Sequence, residues 1–420
     1  MKRLNIKTNP FLMLTFCMLL MTSTYAQDEY VEEDPDSEIE MQRNVASYSL
    51  GNGLNFSLNE GNYQFNMSGF IQPSYTEFEG PDSEFNARRT YFSLGGKAIK
   101  EKVSFFIQTD FSDTNILLDA WLAYHPTENI NITFGQKRVD YNNVEMRFNE
   151  DKFQFTTRSI LSTALSNTGR EFGIFADAQY DFGGIGIEPF VGISSGDGRN
   201  SFGTDSRDSD SGGLKYGGRL NVYPFGFFSD GNDNTTADLL HEDSFKMVIG
   251  GAGSYNDGAS EPVGEGHNVI QNIFDENGEI QLPDYRQIYA DVMIKYQGFS
   301  FLAEYANATA TGLEETFVNA AGTVALQPEQ IGTYLALGDA YNIQTGYATK
   351  SGYAVDLRYS GITPEFDNLA NSILQDTTVY TLGLAKYIKG HDLKIQTAFS
   401  RLEFGGTETY QADIVLQVVF

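Results

Sequence analysis

The sequence is short of sulfur, histidine, long apolar runs and positive charge, and each shortage removes a class of protein. It holds one cysteine, Cys17, inside its N-terminal apolar run, so the remainder of the chain has no disulfide, no thiol nucleophile and no thiolate metal site. Four dispersed histidines do not gather into a metal centre. The longest apolar run, residues 11–21, falls short of the roughly 20 residues that a membrane-spanning helix needs, and nothing comparable follows. A helical membrane protein is thereby excluded. Against 28 lysines and arginines stand 56 aspartates and glutamates, a net charge of −28. Nucleic acid is not a partner, because phosphate backbones are held by a basic footprint that this chain lacks.

What is present begins with a leader. Lys2, Arg3 and Lys7 precede the apolar run, and Thr24-Tyr25-Ala26 forms a small-residue cleavage site before Gln27, the layout of a secretory signal peptide over residues 1–26. Phe16 is too bulky to precede a lipidated cysteine, and the apolar run continues past Cys17 through Leu20, which argues against a lipoprotein. Without the three leader cations the balance is 25 basic against 56 acidic, or −31. A charge of this size keeps exposed loops soluble and neighbouring copies apart. Residues 27–50 read as an acidic solvated tail, centred on DEYVEEDPDSEIE at 28–40.

From Tyr63 onward, polar and apolar residues alternate with period two, the pattern of strands with one apolar face. YQFNMSGFI sets Tyr63, Phe65, Met67 and Ile71 against Gln64, Asn66 and Ser68. In VSFFIQTDF, Val103, Phe105, Ile107 and Phe111 oppose Ser104, Gln108 and Asp110, and in INITF, Ile130, Ile132 and Phe134 oppose Asn131 and Thr133. Sixteen such elements begin near residues 63, 86, 102, 116, 130, 172, 185, 214, 244, 286, 299, 340, 353, 379, 393 and 409. Each is about 9 to 11 residues long, the length of a tilted barrel strand crossing a bilayer. With 24 Tyr, 32 Phe and 42 Gly, residues 51–420 read as one transmembrane antiparallel up-and-down β-barrel, an all-β fold, rather than several soluble domains.

The connections agree. Short links at 96–101, 126–129, 183–184, 297–298, 350–352 and 389–390 alternate with long ones at 139–171, 194–213, 256–285, 307–339 and 361–378. Residues 224–243 break the parity, as either a periplasmic excursion or a misplaced strand boundary. The final segment, TYQADIVLQVVF, alternates to its last residue, Phe420, like the terminal signal read by outer-membrane assembly machinery.

Strands span hydrocarbon only as a closed barrel, because every backbone polar group must be paired internally. The polar side of each strand then faces a lumen too wide at sixteen strands for side chains to fill, and an aqueous channel follows. On that inward phase lie Asp110, Asp119, Asp177, Glu188, Asp291, Glu304, Asp356 and Asp413 together with Arg219, Lys246, Lys295, Arg358 and Lys394. Residues 139–168 are the constriction candidate, with Glu145, Arg147, Glu150, Asp151, Lys152 and Arg158 as its charges, unless the loop lies over the rim instead.

Two motifs point elsewhere. Gly192-Ile193-Ser194-Ser195-Gly196 matches G-x-S-x-G, but a glycine-rich polar loop follows where the nucleophile elbow needs a helix, so no enzyme is expected. Asp230, Asn232 and Asn234, like Asp205, Asp208 and Asp210, hint at loose calcium binding in loops; the first set lacks the sixth-position glycine and has His241 where the bidentate glutamate belongs. No other cofactor is expected.

FNARRTYFSLGGK, LLDAWLAY, FGQKR, Thr157-Arg158-Ser159, Gly169-Arg170-Glu171-Phe172-Gly173, Gly218-Arg219, GFSFLAEY, VDLRYSG and YTLGLAKYIKGHDLKIQ, in this order from Tyr63 to Phe420, resemble the phosphate-selective porin O and P family. The resemblance implies a bacterial outer-membrane porin of 16 strands, embedded in outer-membrane lipid as a homotrimer and passing small anions, with pore-lining roles for Arg88 or Arg89, Lys137, Arg158, Arg170, Arg219 and Arg358. Alternation leaves open which of Arg88 and Arg89 points inward. Scarce lysines and abundant inward carboxylates depart from the family, which keeps a general or cation-preferring porin open beside phosphate transport. A barrel plugged by its loops and serving as a docking partner in an outer-membrane complex is the third alternative.

Overall fold

The computed structural model describes residues 44–79, 83–166, 169–199, 212–264, 272–366 and 371–420; the leader, the tail as far as residue 43 and Asp205, Asp208 and Asp210 lie outside them. A hairpin of β1 (Val45–Ser49) and β2 (Gly53–Leu58) comes first. It is followed by β3 (Tyr63–Phe78), β4 (Ser83–Ala98), β5 (Val103–Asp110), β6 (Leu117–Thr127), β7 (Ile130–Arg138), β8 (Arg170–Ala178) with its continuation β9 (Tyr180–Asp181), and β10 (Gly186–Ser194). Then come β11 (Lys215–Tyr223), β12 (Lys246–Asn256), β13 (Asp284–Tyr296), β14 (Phe299–Thr311), β15 (Gly338–Ala348), β16 (Tyr353–Pro364), β17 (Thr377–Lys389), β18 (Leu393–Phe404) and β19 (Thr407–Val419).

Each strand from β3 onward pairs antiparallel with the next, and β19 returns to pair with β3. With β8 and β9 forming one strand interrupted at Gln179, this is a closed barrel of sixteen strands. Every expected strand start lies within three residues of the observed one. The period of two explains why: Ile249, Ile288, Leu357 and Ile414 face outward, 48–55% exposed, while Gln287, Asp291 and Lys295 on the same sheet are buried inside. No helix among the described residues is long and apolar enough to cross a membrane.

The two ends of the barrel differ. Short turns such as Gln297-Gly298 join strands at one end, where both the hairpin and Phe420 also lie; the long connections lie at the other. Residues 224–245, between β11 and β12, are the exception. They form a true excursion at the turn end, so the strand boundaries around them stand. The segment expected as tail over 27–50 ends in β1, a strand that alternation did not find. The hairpin prolongs β19 end to end: β2 pairs with residues 63–67 of β3, β19 pairs with residues 70–78, and the Gly51 N–H donates to the Val419 carbonyl.

The seam itself is closed at the last residue. Gly69 and Phe420 exchange two backbone hydrogen bonds of 2.8 Å. A Cβ on Gly69 would stand 2.5 Å from the Tyr91 carbonyl oxygen and 3.2 Å from the Phe420 ring. Gly69→Val is therefore expected to lower the yield of closed barrel sharply, read as loss of the heat-modifiable folded band on gels, whereas an alanine at outward-facing Ile71 should leave it intact.

Candidate functional site in the barrel lumen

A wide barrel leaves its inward side chains without a hydrophobic core to pack on, and here the chain supplies its own filling. The connection between β7 and β8 is pinched at its neck, where the Val139 N–H donates to the Gly169 carbonyl, and folds inward. It carries a helical turn at Val144–Arg147, a 3₁₀ turn at Glu150–Lys152 and a short helix at Ile160–Leu165, whose Ser159 accepts from the Ser162 N–H as N-cap. Of the two expected courses, inward or over the rim, the loop takes the inward one.

Side chains from around the wall hold it. Lys394 and Gln396 of β18 donate to the Phe153 carbonyl at 2.8 and 3.1 Å, Gln417 of β19 to the Asp151 carbonyl at 3.0 Å, and Gln287 of β13 to the Leu165 carbonyl at 2.6 Å. Glu304 of β14 accepts from the Glu145 N–H and from Asn143, both at 3.0 Å. The Tyr141 hydroxyl meets Ser194, the serine of the G-x-S-x-G sequence, at 3.0 Å, which gives that residue a packing role. The Tyr141 ring fills the gap left by Gly192 and Gly217, which face each other across β10 and β11; a Cβ on Gly217 would stand 2.4 Å from it.

All seven basic residues picked from sequence face this interior. Both Arg88 and Arg89 point inward, because Gln72 pairs with Arg89 and Pro73 with Ala87, leaving Arg88 as an unopposed bulge residue where Pro73 has no N–H to give the ladder. Arg88 reaches Asp413 at 2.5 Å and the Thr156 carbonyl at 3.1 Å. Arg89 donates to Gln72 at 2.8 Å and lies 5.4 Å over the Phe153 ring. Lys137 pairs with Asp140 at 2.6 Å, Arg158 with Glu150 at 2.6 Å, Arg170 with Asp119 at 2.9 Å, Arg219 with Asp291 at 2.5 Å and Arg358 with Glu145 at 3.1 Å. Gly250 makes room for the Arg219–Asp291 pair, since a Cβ there would stand 2.2 Å from the guanidinium.

Two cations outside that set matter as much. Arg138, at the end of β7, holds the other Glu150 oxygen at 2.8 Å, so that Glu150 sits between Arg138 and Arg158 with Arg170 4.0 Å away. Arg147 lies 4.7 Å over the Phe190 ring, with carboxylates of Glu188 and Asp140 at 3.7 and 3.8 Å. Arg138 ends a strand and is in alternation with Gln136, a signal that was available.

From the turn end, residues 224–245 also enter the lumen. Lys295 donates to the carbonyls of Asn232 and Thr235, and the Thr235 hydroxyl donates to the Lys152 carbonyl at 3.1 Å, so the excursion meets the inward loop. Asn232 is fully buried, donating to Asp238 and Glu242 at 2.8 Å, while Asp230 and Asn234 are exposed. Among the described residues, no group of three or more acidic, histidine or cysteine side chains is gathered for a metal. Beside the loop, a cavity of about 380 Å³ remains between β10–β13, the Asp140–Phe148 stretch and the excursion.

A closed sixteen-strand barrel with a polar, charged interior, narrowed by an inward loop from one end and by the excursion from the other, is the architecture of an outer-membrane porin and points to a channel. Residues 59–227, which run from β3 through β11 and include the inward loop, match the family described as phosphate-selective porin O and P. No curated protein matches the chain. Among solved structures, it resembles the outer-membrane channel DcaP of Acinetobacter baumannii, with a TM-score of 0.54 at 11% identity over 86% of this chain and 98% of that one. OmpT of Vibrio cholerae with its loop L8 deleted gives 0.52 at 11% over 86% and 100%, and an anion-selective porin from Comamonas acidovorans 0.50 at 11% over 85% and 100%. At such identities the likeness is one of fold.

The loop's anchoring depends on pH. Burial would raise the Glu150 carboxyl, but the guanidiniums of Arg138, Arg158 and Arg170 hold it well below the usual range; Glu145, also buried, is lowered by Arg358 and Arg158 and by the Ser162 and Ser159 hydroxyls. Carboxylates lowered in the folded state stabilise it fully above about pH 4.5 and lose that contribution as pH falls toward their folded values. Single-channel current should therefore be quiet at pH 7 and become noisier below pH 4.5, and Glu150→Gln should bring the noise to pH 7. Asp291→Ala, which strands the buried Arg219, is expected to cost about 3–5 kcal/mol in unfolding experiments.

Proposed function

We propose that the chain is a general diffusion channel for small charged solutes, constricted by residues 139–169 and carrying both signs of charge along its path. The observation that supports this reading is the state of the seven basic residues that the family resemblance implies for phosphate. Six are paired with protein carboxylates at 2.5–3.1 Å, and the seventh, Arg89, is bonded to Gln72. A row of cations already neutralised is not a ladder for a multiply charged anion.

Phosphate or other small anions form the second reading. It is favoured by the family match and by the wall around Glu150, where Arg89, Arg138, Arg158 and Arg170 all act on a single carboxylate. We further infer that the leader is removed after Ala26 and that the barrel assembles as a homotrimer in the outer membrane. The family resemblance supports trimerisation, as does the trimer form in which the structurally similar OmpT of Vibrio cholerae has been solved.

Purified protein in a planar bilayer under a KCl gradient should give open-channel current with a small reversal potential, unaffected by millimolar phosphate. A large anion-side potential with phosphate block, relieved by Arg170→Ala, would replace the general reading with the phosphate one. Absence of any current would leave the plugged barrel as docking partner.

A further inference from the structure

Arg147 differs from every other lumenal arginine in the described residues. Arg88, Arg89, Arg138, Arg158, Arg170, Arg219 and Arg358 each donate a hydrogen bond of 3.1 Å or less. Arg147 has none: its nearest carboxylate oxygens are 3.7 and 3.8 Å away, and its Nε is shielded without a partner. The ring of Phe190 beneath it fixes the guanidinium plane at 4.7 Å. A positioned guanidinium with unused donors is the arrangement that receives a planar carboxylate.

That guanidinium lines the 380 Å³ cavity, whose other walls say what the rest of the solute must be. Asp230 and Asp233, exposed on the excursion, present carboxylates at the edge of the same space. Val144, Phe148, Phe228, Val248 and Met293 form an apolar cluster on the remaining side. A plain anion would meet the carboxylates of Asp140, Glu188, Asp230 and Asp233. A plain cation would leave the donors of Arg147 unmet and face its charge. A solute with one charge of each sign and an apolar body answers all three walls, and the volume suits a molecule of amino-acid to dipeptide size.

We propose that this cavity is a transit site for small zwitterions, amino acids and short peptides, in which Arg147 takes the carboxylate, Asp230 and Asp233 the ammonium group, and the Phe148–Phe228 wall the side chain. The proposal rests on the diffusion-channel reading above and names a solute class for it. Proteoliposome swelling tests it, as the ratio of the phenylalanine rate to that of glucose, a neutral solute of similar size, at pH 7. The ratio should exceed one in the native protein. It should fall by about tenfold in Arg147→Ala, the loss expected for one charge-assisted hydrogen bond, and should also fall in the double variant Asp230→Asn, Asp233→Asn, whose exposed positions leave folding untouched. A ratio unchanged in both variants, or a native ratio at or below one, overturns the zwitterion site while leaving the channel standing. Absence of swelling with either solute, together with absent KCl current, overturns both.

Discussion

Charge compensation inside a sealed wall is the constraint on which this interior depends. An ion moved out of water costs several kcal/mol even after relaxation, and that cost stands uncompensated where no partner meets it. The wall strands bring arginines and lysines inward because their outward face must be apolar, and no water-filled bulk surrounds those cations once the loop is in place. The carboxylates of Glu145 and Glu150 and the carbonyls of Phe153, Thr156 and Thr157 provide what the cations need. Wall and loop are each incomplete without the other, so the width of the pore is set by electrostatics as much as by strand number.

The same logic separates anchors from contacts. The side chains of Arg219 and Asp291 are wholly shielded and that of Arg170 is 2% exposed, and both guanidiniums already donate to groups of the protein. Such pairs rigidify the constriction. Hydrogen-bonding capacity is left over at Arg147, on the side of the loop facing β10–β13. A family resemblance transfers the positions of cations well and their engagement poorly, because engagement depends on which carboxylate the rest of the chain has placed opposite.

The strands were legible because a period of two survives wherever one face meets lipid, and strand starts such as Tyr63, Ile130, Phe299, Tyr353 and Leu393 fell on the observed residues. The hairpin before β3 escaped notice although Leu54, Phe56 and Leu58 alternate, because it is short and follows directly in sequence on an acidic stretch. Alternation could not orient Arg88 and Arg89, since a bulge resets the phase; Pro73 in the middle of a strand was the available signal. The glycines that make room for Tyr141 and for Arg219 are invisible in one strand read alone, because each opens space for a residue distant in sequence. The parity break at 224–243 was visible, but its entry into the lumen depends on Lys295 of β13, the second strand after it, through contacts that no local pattern encodes.

Because β19 and Phe420 after it pair with β3, the first strand of the cylinder waits for the last one to find its partner. The hairpin covers only residues 63–67 of β3, leaving the stretch from Phe70 to Phe78 free until β19 arrives. Assembly thus has a protected beginning and an exposed waiting edge, the place where a folding helper would have to stand guard.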